Sequence, residues 1–354
     1  MDQIEKFLVT LLDAPGLSGY EKPVSELIKK QWEPLTDQIE VSRLGSLHAL
    51  RQAEGAGSHP SLMIAAHMDA IGFMVKEIRD GFIFITTIGG IDPRILPGQM
   101  VTIHGTKEIR GIVQMIPDRL TQNLATGSAP EFPRLFVDTG LSSAEIKRTI
   151  QPGCVISFAN APLQFNGAYI SGHSLDNRAS VAALTVCLEE IRNYRLSWDV
   201  WCAATVQEER GLLGAATSAF ALEPQIAIAL DVTFAKEPGL NSHETFPLGK
   251  GVTLGIGANI HPALHKEFKR LADEIDLPYS IETMPRGSGT DGMAMQISAA
   301  GIPTLVIGIP IRYMHTPVEL TSLADIRRAG RLLARFITSL NADSLSTLFN
   351  GGAA

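Results

Sequence analysis

Cysteine, aromatic residues and long apolar runs are all scarce in this chain. Its three cysteines, Cys154, Cys187 and Cys202, lie far apart in apolar surroundings. This spacing excludes a disulfide framework and a cysteine-based zinc site, so we expect three reduced thiols in the core. Aromatic residues make up only 6% of the chain, which leaves no evident platform for stacking sugar rings.

The sequence also lacks a membrane-spanning run and a basic segment. No apolar run reaches the ~18 residues that a spanning helix needs. The acidic N-terminal segment MDQIEKFLVTLL lacks the apolar centre of a signal peptide. The formal net charge is -7, and Lys and Arg form no cluster. We therefore expect a cytoplasmic protein that binds neither nucleic acid nor an anionic membrane.

The chain is long enough, at 354 residues, for about two domains. Strand and helix patterns alternate at both ends, which predicts an α/β domain with a three-layer mixed sheet and helices on both faces. We assign residues 1–69 and 165–354 to this domain. Its predicted helices span 2–13, 21–33, 176–193, 211–220, 262–274, 291–299 and 322–340, and its main predicted strands span 61–66, 198–206, 225–230, 252–256, 279–283 and 303–309.

Residues 70–164 show a different pattern of predicted secondary structure. Short β-type runs punctuated by Gly and Pro follow one another, with one short helix predicted near 142–149. The segment 117–133 has the polar composition of a mobile loop. We therefore predict a small β-rich domain inserted into the larger one.

One predicted buried strand is followed closely by two adjacent carboxylates. Residues 200–206 are apolar, β-branched or small, and they are followed at once by the adjacent carboxylates Glu208 and Glu209. Ligands of open α/β sheets gather at the carboxyl ends of such strands. The alternative is that both glutamates are the solvated first turn of a helix.

Other polar residues follow apolar strands or open helices in the same manner. Taken singly, His67 is compatible with a hydrogen-bonded core histidine, Asp176 with a helix N-cap and Asp231 with a turn. His315 is compatible with stacking on Tyr313. The full set is His67, Asp69, Asp176, Glu208, Glu209, Asp231 and His315.

If all seven groups converge on one rim of the sheet, a purely structural role for each of them becomes harder to sustain. Carboxylates packed together repel unless cations neutralise them. Histidines combined with carboxylates are a ligand set that suits zinc or a neighbouring divalent metal. The sequence therefore predicts a divalent-metal site.

The motifs around these residues resemble those of the M42 aminopeptidases, also called the TET or glutamyl aminopeptidase-like family. The segments that carry the resemblance are AAHMDAIGFMV, GHSLDNR, VQEERGLLGA, ALDVT and RYMHTP. They occur in the order and at the places expected for the family, over nearly the whole chain. Some relatives have been labelled endoglucanases.

The resemblance implies a role for each candidate residue. His67 and Asp231 would bind one metal ion, Glu209 and His315 the other, and Asp176 would bridge the two. Asp69 would orient His67, and Glu208 would act as general base and acid. The implied ions are zinc or cobalt, with manganese as a further candidate. A cis peptide bond between Asp176 and Asn177 is also implied.

The resemblance further implies peptide substrates with a free N-terminus. The insertion would be a PDZ-like dimerisation domain, and dimers would build a homo-oligomer, a dodecamer in some relatives. The chain departs from the family pattern at His173 and Asn177, neither of which is an implied ligand. We interpret His173 as a surface-loop histidine.

Several local expectations remain to be compared with the structure. Ser18 and Glu21 have the spacing of a capping box. Asp291 is a candidate cap for the helix 291–299. The loops 232–250 and 284–292 are expected to set substrate specificity. Within them, Arg286 would attract an acidic substrate side chain or, more simply, be a surface arginine.

Two other functions compete with the peptidase. A carbohydrate-active hydrolase could use the paired carboxylates Glu208 and Glu209, although neighbours on one strand end cannot easily flank a glycosidic bond from both sides. A non-catalytic assembly protein could retain the metals for stability alone.

Overall fold

The computed structural model describes residues 2–117, 131–166, 168–241 and 244–350. Most of the polar segment 117–133, the loop residue His243 and the tail 351–354 lie outside these ranges. Within the described ranges, no helix is both long and apolar enough to cross a membrane.

The chain begins with two helices and three strands. These are α1 (Gln3–Asp13), α2 (Lys22–Trp32), β1 (Gln38–Val41), β2 (Leu47–Arg51) and β3 (Ser61–His67). The carboxylate of Asp2 caps α1 by accepting a hydrogen bond from the Glu5 amide, 3.0 Å away. The apolar residues of α1 recur every three or four positions and are buried, as their spacing predicts.

The next segment forms a closed six-stranded barrel. Its strands are β4 (Gly72–Arg79), β5 (Phe82–Ile88), β6 (Met100–His104), β7 (Glu108–Met115), β8 (Leu135–Asp138) and β9 (Val155–Phe158). The short helix α3 (Ser143–Thr149) precedes β9, close to its predicted position. The barrel has a hydrophobic core of its own, which includes Phe73, Val101 and Ile156.

The α/β alternation then resumes. The elements are β10 (Leu163–Phe165), β11 (Tyr169–Gly172), α4 (Leu175–Ile191), β12 (Asp199–Thr205), α5 (Leu213–Leu222), β13 (Ile226–Phe234), β14 (Val252–Gly257), α6 (Pro262–Glu274), β15 (Tyr279–Met284), α7 (Asp291–Gln296), β16 (Thr304–Arg312), β17 (Glu319–Ser322), α8 (Leu323–Ser339) and α9 (Ser344–Asn350).

Strands from before and after the barrel join in one eleven-stranded mixed sheet. The main order is β1-β2-β12-β3-β13-β16-β17-β11-β10, and β14 pairs with both β15 and β16. The central strands β12, β3, β13 and β16 run parallel, so their carboxyl ends share one edge. Helix α4 packs on α1 and α8, whereas α5 packs on α7. The predicted α/β class with a mixed sheet is confirmed.

Two of the cysteines are buried in the core of the large sheet, and the third is half-buried. Cys187 and Cys202 lie in that core, and Cys154 packs against the barrel core. All three are free. The apolar sequence context of the cysteines was therefore a sound guide to their burial.

Two predicted helix caps were wrong, although both helices begin within one residue of the predicted position. Helix α2 begins after Glu21, whose side chain makes no cap, so Ser18 and Glu21 do not form a capping box. Helix α7 is capped by Thr290, whose hydroxyl accepts from the Gly292 amide, and Asp291 is its first residue. In each case a tertiary contact takes the side chain that the local pattern had assigned to the helix end.

Candidate active site

The parallel strands β3, β12 and β13 carry four of the candidate residues. Thr205, the last residue of β12, pairs with His67, the last residue of β3. Ala229 on β13 pairs with Ala65, so Asp231 lies level with His67 two residues further on. Glu208 and Glu209 follow β12 directly. Strand β13 extends past Asp231 to Phe234, because its pairing with β16 continues to Ile311.

Asp176 and His315 reach the same edge from other elements. Asp176 opens α4 with non-helical backbone angles, and its peptide bond to Asn177 is cis, as predicted. The side-chain Nδ2 of Asn177 donates to the Leu230 carbonyl oxygen on β13 at 2.9 Å, which ties the start of α4 to the sheet. His315 lies in the loop between β16 and β17.

The carboxylate of Asp176 lies between two histidines. Its Oδ1 is 3.1 Å from Nε2 of His67, and its Oδ2 is 3.3 Å from Nε2 of His315. Two groups of possible ligand atoms result: His67, Glu208 and Asp231 on one side, and Asp176, Glu209 and His315 on the other. In each group the ligand atoms lie within 4.8 Å of one another.

Carboxylates outnumber histidines in this cluster, and their protonation equilibria are strongly shifted. Burial, together with the neighbouring carboxylates, raises the pKa of Glu208 to about 9 and that of Asp231 well above its ordinary value. Hydrogen bonds to Asp176 and Glu209 raise the pKa of His315 to about 11. Conversely, the two histidines outweigh the effect of burial and lower the pKa of Asp176. Without other cations, the cluster would therefore have to take up protons.

The tautomer of His67 follows from its neighbours. Its Nδ1 lies 3.2 Å from the carbonyl oxygen of Asp69, which can only accept a hydrogen bond. Nδ1 therefore carries a proton, and Nε2 faces Asp176 and Asp231. A histidine fixed in this way is prepared to bind a metal through Nε2.

The motifs and the fold agree with one known family. A family model described as M42 glutamyl aminopeptidase matches residues 45–332. The chain belongs to the M42 aminopeptidase family. The resemblance found in the sequence is thus confirmed, and this membership makes the protein a peptidase.

Relatives of this M42 aminopeptidase are similar along their whole length. A lysyl aminopeptidase from Pyrococcus furiosus is 33% identical over 93% of this chain and 95% of its own. An aminopeptidase structure from Desulfurococcus kamchatkensis superposes with a TM-score of 0.90 at 30% identity, covering 98% of both chains. The TET1 peptidase of Pyrococcus horikoshii, described as assembling into a tetrahedron or a large octahedral shell, gives a TM-score of 0.83 at 28% identity, covering 96% of this chain and all of its own.

Asp69 of this M42 aminopeptidase organises the backbone around the paired glutamates. Its carboxylate accepts the amides of Glu208 at 3.0 Å and Glu209 at 3.2 Å, together with the hydroxyl of Ser18. The carboxylate also lies 3.5 Å from Nδ1 of His67. The neighbouring Glu21 accepts the Gln207 amide at 3.1 Å. Ser18 and Glu21 therefore support the 207–209 turn instead of capping α2.

Glu319, which the sequence analysis missed, links two of the candidate residues. It is the first residue of β17 and is buried. Its carboxylate accepts the backbone amides of Asp176 at 3.0 Å and His315 at 2.9 Å. Its local sequence, ELTS just after RYMHTP, gives no sign of this role.

Arg178 was also missed, and the prediction for His173 was wrong. The Arg178 side chain is fully buried, and it donates to the carbonyl oxygens of Leu11, Ala14, Gly16 and Met68.

His173 is buried beside it, with Nδ1 2.7 Å from the Ser174 hydroxyl. Burial and the Arg178 charge lower the pKa of His173 to about 3. It is therefore a buried, neutral residue, not a surface-loop histidine.

A pocket of about 620 Å³ opens over the cluster. Apolar side chains such as Phe234 and Met314 line it, together with Thr290, Glu282 and the barrel residue Gly90. Residues from both predicted specificity loops therefore contribute to its wall. Arg286 is exposed and is not among the described residues that line this pocket.

The turn that follows β5 brings the barrel to the cluster. Gly89 has a φ of +80°, and a Cβ there would lie 3.2 Å from Oε2 of Glu209 and 2.5 Å from the side chain of Ile71. A Cβ on Gly90 would lie 3.4 Å from Nδ1 of His315. The close approach of the turn to Glu209 requires glycine at position 89.

Proposed function

We propose that this M42 aminopeptidase removes the N-terminal residue from peptides while two divalent metal ions are bound in each chain. His67 and Asp231 would hold one ion, Glu209 and His315 the other, and Asp176 would bridge them. The observation that carries the proposal is the Asp176 carboxylate, whose two oxygens lie 3.1 and 3.3 Å from the histidines of opposite groups.

The residues present fit such ions. Each group combines an imidazole nitrogen with carboxylate oxygens, which is the donor set of zinc sites and of related transition-metal sites. Burial and, to a smaller extent, neighbouring carboxylates raise the pKa of Glu208, Glu209 and Asp231, and bound cations would stabilise the charged forms of these groups. We expect zinc or cobalt, and manganese also suits the carboxylate ligands.

Glu208 is our candidate for the general base and acid. Two metal ions, when bound, would lower the pKa of the attacking water and polarise the scissile carbonyl. The Glu208 carboxylate, with Oε2 3.9 Å from Nε2 of the candidate ligand His67, lies at the edge of the site and would take the proton of the attacking water. It would then give the proton to the leaving amine as the C–N bond breaks. Asp69 supports this step by holding the Glu208 amide.

The closeness of Glu208 to His67 and Asp231 leaves a second role to be distinguished, that of metal ligand. Substitution separates the two roles. If Glu208 is a base, its replacement by Gln should leave both ions bound. If Glu208 is a ligand, the same replacement should release an ion. Glu209→Gln is the matched comparison, because we assign Glu209 to a metal.

The domain organisation and the assembly belong to the same proposal. We assign residues 1–69 and 165–354 to the catalytic domain, with helices on both faces of the sheet, and residues 70–164 to an inserted PDZ-like dimerisation domain. Dimers would assemble into a dodecamer in the cytoplasm. The separate barrel of β4–β9 supports an inserted domain, and the likeness to an assembling TET1 peptidase supports a homo-oligomer.

One experiment tests the proposed chemistry. Chelated protein is reloaded with zinc, cobalt or manganese and assayed against a panel of aminoacyl anilides. We expect Glu208→Gln to bind two ions per chain and to lose ~100- to 10,000-fold in turnover. We expect Glu209→Gln to lose an ion.

Other outcomes would contradict the proposal. An active Glu208→Gln variant would exclude this residue as the base. Absence of cleavage of every anilide, with stabilisation by metal retained, would favour the non-catalytic assembly protein. Release of reducing sugar from a glucan by metal-stripped protein would favour the carbohydrate-active hydrolase.

A further inference from the structure

The pocket over the metal-ligand candidates contains one more carboxylate, which the proposed mechanism does not use. Glu282 lies on β15 and lines this pocket together with Asp231 and Thr233. It is half-buried, and in the described ranges its side-chain partners are two threonines, with no Lys, Arg or His among them. Carboxylates removed from water are normally paired with a cation, so an unpaired one in a pocket wall needs an explanation.

Two threonine hydroxyls hold the Glu282 carboxylate in place. Thr233 on β13 donates to its Oε1 at 2.7 Å, and Thr253 on β14 donates to its Oε2 at 2.6 Å. Burial raises the pKa of Glu282, and these two hydrogen bonds partly offset the effect. The carboxylate is thus oriented by two neutral donors, and no cationic side chain of the described ranges pairs with it.

The spacing along β13 relates Glu282 to the metal-ligand candidates. Thr233 follows Asp231 by two residues, so both side chains leave the same face of the strand ~7 Å apart. Glu282 is bonded to Thr233, and Asp231 is a candidate ligand. The pocket is continuous between the two positions.

This arrangement suits an extended cationic side chain. A lysine carries its ammonium on a flexible four-carbon stem, and arginine carries a guanidinium at similar reach. With the N-terminal residue of a peptide at the metal-ligand candidates, such a side chain could extend past the apolar lining residue Met314 toward Glu282. A charged hydrogen bond there would satisfy a carboxylate that now has only neutral partners.

We propose that Glu282 selects peptides whose N-terminal residue is basic, lysine or arginine, by pairing with the cationic end of that side chain. This inference rests on the proposed aminopeptidase function. It opposes the expectation that Arg286 selects an acidic residue, because Arg286 is exposed and lies outside the pocket lining that the described residues form.

The test compares lysyl and norleucyl p-nitroanilides, since norleucine has the lysine stem without its ammonium. Zinc- or cobalt-loaded protein is expected to cleave the lysyl substrate with a kcat/KM at least ~10-fold higher, which matches the free energy of one charged hydrogen bond. Glu282→Gln should lower the lysyl-to-norleucyl ratio of kcat/KM by ~10-fold or more. Glu26→Gln, on the exposed face of α2, is the matched control and should leave the ratio unchanged.

A binding measurement keeps the inference separate from the proposed function. Calorimetry of the metal-loaded protein should show tighter binding of lysinamide than of norleucinamide, and Glu282→Gln should remove that difference. If no anilide is cleaved, the proposed function fails, and the calorimetry alone then decides the role of Glu282. Equal cleavage and equal binding of the two ligands would overturn the inference, as would a preference that Glu282→Gln leaves intact.

Discussion

At the scale of single residues, Asp69 has a wider role than a histidine partner. Its two carboxylate oxygens accept the amides of adjacent residues, Glu208 and Glu209, which we assign to different tasks. The two amides hold this turn at a fixed distance from β3. Precise placement of the base and the metal ligand therefore depends on one buried side chain.

Replacement of Asp69 by Asn tests this role. The Asn amide group retains one acceptor oxygen and turns a donor toward the second backbone amide, which then loses its partner. We expect a ~10- to 100-fold loss in metal affinity or kcat/KM, measured by zinc titration and anilide hydrolysis. Asp80→Asn, in an exposed turn of the barrel, is the control. Parental affinity and turnover in Asp69→Asn would contradict the role.

Residues that follow strands were predictable, and residues that support them were not. His67, Glu208, Glu209 and Asp231 are polar groups at the ends of apolar runs, and this pattern is visible in a single sequence. Glu319 acts through two backbone amides that are distant from it in sequence or in an irregular loop. Only the folded chain brings those amides to it, so no local pattern could reveal it.

At the scale of elements, the turn after β5 links the barrel to the large sheet. Gly89 and Gly90 lie against Glu209 and His315, which are candidate ligands of the same ion. The β-rich insertion is therefore part of the pocket wall and not only a separate unit. Changes in this turn should alter the chemistry of the site as well as stability.

Gly89→Val tests the turn, and Gly140→Val is the matched control. Both glycines have positive φ, so both substitutions cost ~1–2 kcal/mol in backbone strain. At Gly140 a Cβ would meet no atom within 4 Å, whereas at Gly89 it would press on Ile71 and Glu209. We expect both variants to melt at a lower temperature than the parent protein. Only Gly89→Val should also show a lower turnover, measured at a temperature where both variants are folded. Equal turnover in the two variants would exclude a role for the turn in the site.

Element types were more predictable than element ends. The periodic apolar face of α1 and the buried strand β12 could be recognised because their patterns are local. Ser18 and Asp291 were assigned to helix ends, but the first donates to Asp69 and the second accepts from Thr205. The closure of the barrel through β4 and β9 depends on pairing between distant segments, which local propensity does not encode.

At the scale of the whole molecule, metal binding should contribute to stability. The candidate ligands come from β3, the turn after β12, β13, α4 and the loop after β16, which are far apart in sequence. In an unfolded chain these ligands would be far apart and could not bind an ion together. Ions that bind only the native state therefore stabilise the native state.

Chelation should therefore lower the melting temperature, and added zinc should restore it. The expected gain is ~2.7 kcal/mol when free zinc is 100 times its dissociation constant. Calorimetric melting of chelated and reloaded protein measures this gain. Asp176→Asn should lose much of the zinc-dependent stabilisation, whereas His59→Asn, in the loop before β3, should keep it. A melting temperature independent of zinc would contradict a native metal site.

Anomalous scattering from crystals grown with zinc or cobalt tests the central proposal most directly. The account predicts two peaks per chain, ~3.5–4 Å apart, one on each side of the Asp176 carboxylate. The first should contact His67 and Asp231, and the second Glu209 and His315. A single peak, or none in the pocket at saturating metal, would contradict it.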